Sequence, residues 1–199
     1  MEEYYDLGSY HRPVSTASPE AQLWFDRGLI WCYGFHHEES IKCFKKVAEI
    51  DPDCAMAYWG IAYASGPNYN KPWEAFTDAD LMQSLEQAHT ATQMALARLD
   101  GASEVEQALI RTLMHRYPSS TPADNFNIWN DAYANALRES VSGFSGRPGR
   151  VLPVRRSPDE SDGMGVVGSA ERRTCRGRQH DGGHRSSGEG DGADGASGR

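Results

Sequence analysis

From residue 18 to about residue 140, apolar side chains recur every three or four positions in segments separated by Gly, Pro, Asn and Ser clusters, the period of amphipathic helices. Ser18-Pro19-Glu20-Ala21 supplies an N-cap, a first-turn proline and a nearby carboxylate, so a helix is expected from Pro19 to Tyr33. Gly34 then makes a turn into a second helix starting near Phe35. Glu38 and Glu39 suit its dipole, Ile41, Phe44, Val47 and Ile50 form its apolar stripe, and Asp51-Pro52 stops it. Ala55 to Ala64 opens the next unit with Tyr58, Trp59, Ile61 and Tyr63, followed by a long loop from Ser65 to Trp73 of the kind that lies at binding faces. Thr77 to Asp80 caps a helix expected to reach Leu99, another is expected from Glu104 to Arg116, and a last one from Ala123 to about Glu139 carries Phe126, Trp129, Tyr133 and Leu137. Residues 1–17, broken by Gly8 and Pro13, read as an extended lead-in. The expected fold is all-α, with antiparallel helix pairs stacked into a superhelix over residues 18–140.

The spacing within residues 21–52 is specific. Trp24, Gly28 and Trp31, then Ser40, Phe44 and Pro52, fall at the positions of W-x2-L-G-x2-Y, A-x3-F and P in a tetratricopeptide unit, which repeats every ~34 residues. Gly28 is expected to admit a neighbouring helix, Trp24 and Trp31 to fill the space between paired helices, and Pro52 to end the second helix. Arg27 in place of leucine and Ser40 in place of alanine are mild departures. The runs Tyr33-Gly-Phe-His-His-Glu-Glu39, Asp51-Pro-Asp-Cys-Ala-Met-Ala-Tyr-Trp-Gly60 and Gly66-Pro-Asn-Tyr-Asn70 resemble the signature of a group of large tetratricopeptide-repeat proteins with no well-defined activity. The resemblance covers roughly the first 140 residues. It implies a helical solenoid that binds partners or ligands, and it carries no catalytic residue.

Composition divides the sequence. All five tryptophans and nine tyrosines precede Val141, while 14 of the 20 glycines follow it. Up to Ser140 there are 10 basic against 20 acidic residues, a balance that argues against nucleic acid as a partner. Cys32, Cys43, Cys54 and Cys175 form no paired motif and read as reduced thiols. With no signal-peptide pattern at Met1 to Asp6 and no apolar run near the ~18 residues of a membrane span, the cytoplasm is the expected location and no membrane partner is expected.

Candidate chemistry is sparse. Cys32, His36 and His37 have zinc-ligating types but straddle a turn without CxxC or HExxH spacing, so a metal site is disfavoured and no cofactor is expected. No GxSxG elbow, phosphate loop or paired-carboxylate motif points to an enzyme. An interaction surface remains. By repeat position, Gln22, Phe25, Leu29, Cys32 and Tyr33, joined by Met56, Trp59 and Tyr63 and by Asn68 and Asn70 of the loop, would line an aromatic concave groove for a protein or peptide segment. Some of these positions would alternatively pack against the lead-in or the loop. Phe25 and Leu29 stand where chaperone-tail clamps carry lysine and asparagine, so that ligand class is set aside. The alternative reading is a small-molecule or metal-binding helical domain using His36, His37 and the 65–73 loop. Oligomeric state is left open.

From Val141 the sequence is rich in Gly and Arg, with one aromatic residue, Phe144, and no sustained period. It reads as a disordered tail, of a composition that binds RNA loosely. Read one nucleotide later, however, the codons behind Val154 to Gly168 can spell YAEALMNLTAWALWD, an amphipathic repeat-like helix. Residues 141–199 are therefore read as an out-of-frame continuation of the same solenoid. Without its covering helices, the Phe126, Trp129 and Tyr133 face of the last helix is expected to be partly exposed. Recoding the tail in the shifted frame should raise the thermal unfolding midpoint well above that of the unaltered protein. An unchanged midpoint would show that the tail is no lost part of the fold.

Overall fold

The computed structural model describes residues 4–144. The stretch from 145 to 199, to which most of the out-of-frame reading applies, lies outside the described residues, as do residues 1–3. The described part is all-α, with six helices: α1 Pro19–Tyr33, α2 His37–Ile50, α3 Ala55–Ser65, α4 Asp78–Leu96, α5 Glu104–Arg116 and α6 Phe126–Phe144. Each of the first four packs on the next, α5 packs on α3, α4 and α6, and the short α1–α2 and α2–α3 connections make those neighbours antiparallel, a helical-repeat-like stack.

Local chemistry sets the helix starts. Ser18 accepts from Ala21 N at 3.2 Å, Thr77 from Asp80 N at 3.2 Å, and Ser103 with Glu106 forms a capping box on α5. The α1 end departs from expectation. His36 N donates to Trp31 O at 2.9 Å and Phe35 N to Cys32 O at 3.1 Å, a Schellman closure whose left-handed residue is Phe35, with φ 62, rather than Gly34. The Trp31 and His36 rings meet across it at 5.3 Å, and α2 accordingly begins at His37. Toward the other end, α4 stops at Leu96 and Leu99 joins a short 3-10 turn. α6 starts at Phe126, later than expected, and runs through Val141 to Phe144, because Val141 and Phe144 extend the helical spacing of Tyr133 and Leu137 by another turn.

α3 is buried at all 11 of its residues, so it is the axis of the core. Phe44 of α2 lies fully buried between α1 and α3. A Cβ built on Gly28 would stand 2.6 Å from its ring, and one on Gly60 2.5 Å from it. Ser40 donates to the Gly28 carbonyl at 2.8 Å, so the hydroxyl that departs from the alanine pattern locks α2 onto α1. Pro52 lies just past α2, where Asp51 caps it by donating to Val47 O at 2.8 Å.

Trp24 packs against the buried core, and Trp31 is linked to α2 through Tyr4, whose hydroxyl lies 3.3 Å from Cys43 Sγ. Both are half-buried, with the lead-in packed on them. The Tyr4 ring meets Trp24 edge-on at 4.9 Å, Tyr5 meets Trp31 at 5.8 Å, and Trp31 Nε1 donates to the Tyr4 hydroxyl at 2.8 Å. Arg27, the departure from leucine, places its guanidinium over the Tyr4 and Trp24 rings at 4.2 and 4.5 Å. The Phe126, Trp129 and Tyr133 face of α6 is partly exposed, with Phe126 and Trp129 half-buried. Phe126 stacks on Trp73 at 4.4 Å, Trp73 Nε1 donates to Asn130 Oδ1 at 3.2 Å, and Tyr133 is buried. The loop tryptophan covers part of the face that further helices were expected to cover.

Gly28→Ala and Gly60→Ala should each cost roughly 1–3 kcal/mol, because the added methyl meets a ring that is enclosed on both sides. Urea unfolding of each variant, alone and combined with Phe44→Leu, checks this. The smaller side chain should remove most of the additional loss, whereas full additivity would rule out the shared contact.

Candidate functional site

Gln22, Asp26, Leu29 and Tyr33 recur on one face of α1, opposite Trp24. The lead-in lies along this face. Arg12 N donates to Asp26 Oδ1 at 2.9 Å, Val14 N to Gln22 Oε1 at 3.0 Å, and Ser15 N to Glu106 Oε1 of α5 at 2.7 Å. Gln22 Nε2 returns a bond to the Arg12 carbonyl at 2.8 Å, and His11 Nδ1 stands 2.8 Å from Asp26 Oδ2. Tyr10 meets the Tyr33 ring edge-on at 5.7 Å. Three backbone N–H groups of an extended segment thus end on side-chain oxygens of α1 and α5. Asp26 and Glu106 are buried, and these donors compensate their loss of water.

Beyond the far end of this strip lies the most unusual electrostatic feature of the described residues. Arg116, the last residue of α5, is only 5% exposed. Its Nη2 donates to the Pro67 carbonyl at 2.6 Å, and its guanidinium carbon lies 4.9 Å from the Tyr133 ring centroid, 5.3 Å from that of Tyr63 and 5.5 Å from that of Tyr117. No carboxylate pairs with it among the described residues. Among the described residues no hydrogen bond closes on Nη1 or on the hydroxyls of Tyr117 and Tyr33 within ordinary bonding geometry, although the Tyr133 hydroxyl lies near the guanidinium and the Tyr10 hydroxyl near that of Tyr33. Burial pushes the Tyr33, Tyr63 and Tyr117 hydroxyls far up, so all three stay protonated donors. The Gly66-Pro67 loop can seat against this cage because Gly66 lacks a Cβ, which would stand 1.9 Å from the Tyr117 hydroxyl.

The residues expected to line an open groove separate into two sets. Phe25, Leu29, Cys32, Met56, Trp59 and Tyr63 are buried, Trp59 and Tyr63 stacked at 5.0 Å, and they form core rather than an accessible wall. The reason is coverage: the lead-in, α5 and the 65–73 loop close over positions that a minimal repeat would leave open. Gln22 and Tyr33 remain half-buried beneath the lead-in. Asn68 folds back on its own turn, Oδ1 accepting from Asn70 N at 2.9 Å and Lys71 N at 3.1 Å, while Asn70 is exposed.

Burial pushes the Cys32 thiol up to about 11, and the His36 ring lies on Trp31, away from it. No group of three or more His, Cys, Asp or Glu is placed to hold a metal ion among the described residues. A shallow concavity of about 330 Å³ between α2, α3 and α4 has polar groups that bond one another, Gln87 Nε2 to Ser65 Oγ and Lys45 Nζ to Gln87 Oε1. No helix among the described residues is long and apolar enough to cross a membrane.

Arg116, Tyr117, Asp26 and Glu106 were not singled out from the sequence, and Tyr133 only as part of the apolar face of α6. One signal was there to find: Arg116 continues the apolar stripe of Leu109 and Leu113, and Asp26 sits within that of Gln22, Leu29 and Tyr33, so each places a charge where a helix turns inward. Compared with known proteins, the sequence matches no protein-family model, no curated protein and no solved structure.

His37 is half-buried, and its pKa is lowered by burial first, against a raising bond with the Phe35 backbone, and then by the charges of Arg116 and His36. A depressed folded-state pKa means that the unfolded state binds the proton more readily, so stability should be lost as pH falls through the ordinary histidine range near ~6.5 and be fully present above it. Urea midpoints on either side of that range should converge in His37→Gln relative to the parent. An undiminished gap would assign the pH dependence to another group.

Proposed function

We propose that this protein is a non-catalytic helical-repeat scaffold of the tetratricopeptide type that binds an extended segment of a partner protein. One observation carries the reading: α1 and α5 hold an extended polypeptide, the protein's own residues 10–16, through side-chain bonds to its main chain. Such contacts read backbone direction more than side-chain identity, so the same face suits other extended segments. The spacing of Trp24, Gly28 and Phe44, and the seating of Phe44 against Gly28 and Gly60, support the repeat assignment.

Selection of random peptides on the immobilised full-length protein should yield binders of micromolar affinity. A synthetic peptide of residues 4–17 should compete with them, and Gln22→Ala should weaken them by about fivefold, the effect of one hydrogen bond. The reading fails if no captured peptide is displaced by the lead-in peptide.

A further inference from the structure

We propose that Arg116 seats a carboxylate, either an Asp or Glu side chain or the terminal carboxylate of the bound segment, with the Tyr117 hydroxyl as an accessory donor. The inference rests on the scaffold reading for the origin of that carboxylate. A guanidinium keeps its charge at every physiological pH, and a buried charge is ordinarily paired. Here the body of the protein is acidic, yet Asp26 and Glu106, the buried carboxylates, bind the lead-in, and Arg116 has only a carbonyl and three tyrosine faces. Those faces lie 4.9 to 5.5 Å away and leave Nη1 without an acceptor.

The unsatisfied groups share one polarity. Nη1 can only donate, and the Tyr117 hydroxyl near it is free to donate, so the missing element is an acceptor with several lone pairs and one negative charge. A water molecule would satisfy a donor and leave the charge. A phosphate dianion would call for a second cation, and the neighbouring histidine, His37, is held toward its neutral form. A carboxylate matches both counts.

The test uses the full-length protein with phenylacetate and its neutral isostere phenylacetamide. Millimolar phenylacetate should raise the melting temperature saturably and shift the Nε–H resonance of Arg116, the amide should do neither, and Arg116→Gln should abolish the response. Equal effects of acid and amide, or a response that survives in Arg116→Gln, overturn the inference. Should Arg116→Gln fail to fold, Tyr117→Phe keeps the charge and removes one donor. It should weaken phenylacetate binding about tenfold, the loss of one hydrogen bond to a charged group, and unchanged affinity counts against the site. The peptide selection separates this inference from the reading beneath it. Captured peptides indifferent to amidation of their carboxylates would refute the Arg116 seat and leave the scaffold standing. Phenylacetate binding at Arg116 with no peptide captured would retain the seat and remove the scaffold.

Discussion

The enclosure of the Phe44 ring between two glycines is the constraint on which the remaining packing depends. Gly28 and Gly60 occupy equivalent places on α1 and α3, and each brings its helix backbone to a distance from the ring that no Cβ would allow. One aromatic side group therefore sets the spacing of three helices. The Ser40 bond to the Gly28 carbonyl fixes α2 against sliding along α1. With α1, α2 and α3 so placed, α3 becomes buried on every side, and its own sequence, Ala55 to Ser65, has no charged residue that such burial would strand.

Around that core the fold is closed by segments that are not helices. The lead-in crosses from the tryptophan side of α1, where Tyr4 sits between Trp24, Trp31 and Arg27, to the Asp26 side, and ends on the capping box of α5. Glu106 both caps α5 and accepts from Ser15, which couples the start of a helix late in the sequence to residues near its beginning. The 65–73 loop does the corresponding work on the other side. Trp73 is the stacking partner of Phe126, and Pro67 supplies the carbonyl that holds Arg116. An insertion that lengthens a repeat turn thereby becomes part of the core of its neighbour. Burial in such an arrangement is concentrated in the aromatic residues, which contribute large apolar area and, through Trp73 and Trp31, a directed N–H.

Helix identity and most helix limits were legible in the sequence because capping and apolar period are properties of a few adjacent residues. Ser18-Pro19 and Ser103 with Glu106 specify their helix starts locally, and α1 and α5 span the expected residues. Gly28 was equally readable as a close approach, whereas the matching role of Gly60 on the other side of Phe44 emerged only from the packing. What only the tertiary structure decided is coverage, since the same amphipathic face lines a groove or a core depending on what packs over it. Phe25, Leu29, Met56, Trp59 and Tyr63 became core because the lead-in, α5 and the loop lie over them. The left-handed turn fell on Phe35 rather than Gly34 because the Schellman bonds and the Trp31–His36 contact fix the register of the turn. Arg116 reads in sequence as an ordinary basic residue in a helix's last turn, suited to the dipole. Its isolation depends on Tyr63, Tyr117, Tyr133 and Pro67, which converge from positions far apart in the sequence, and no local pattern encodes a meeting of that kind.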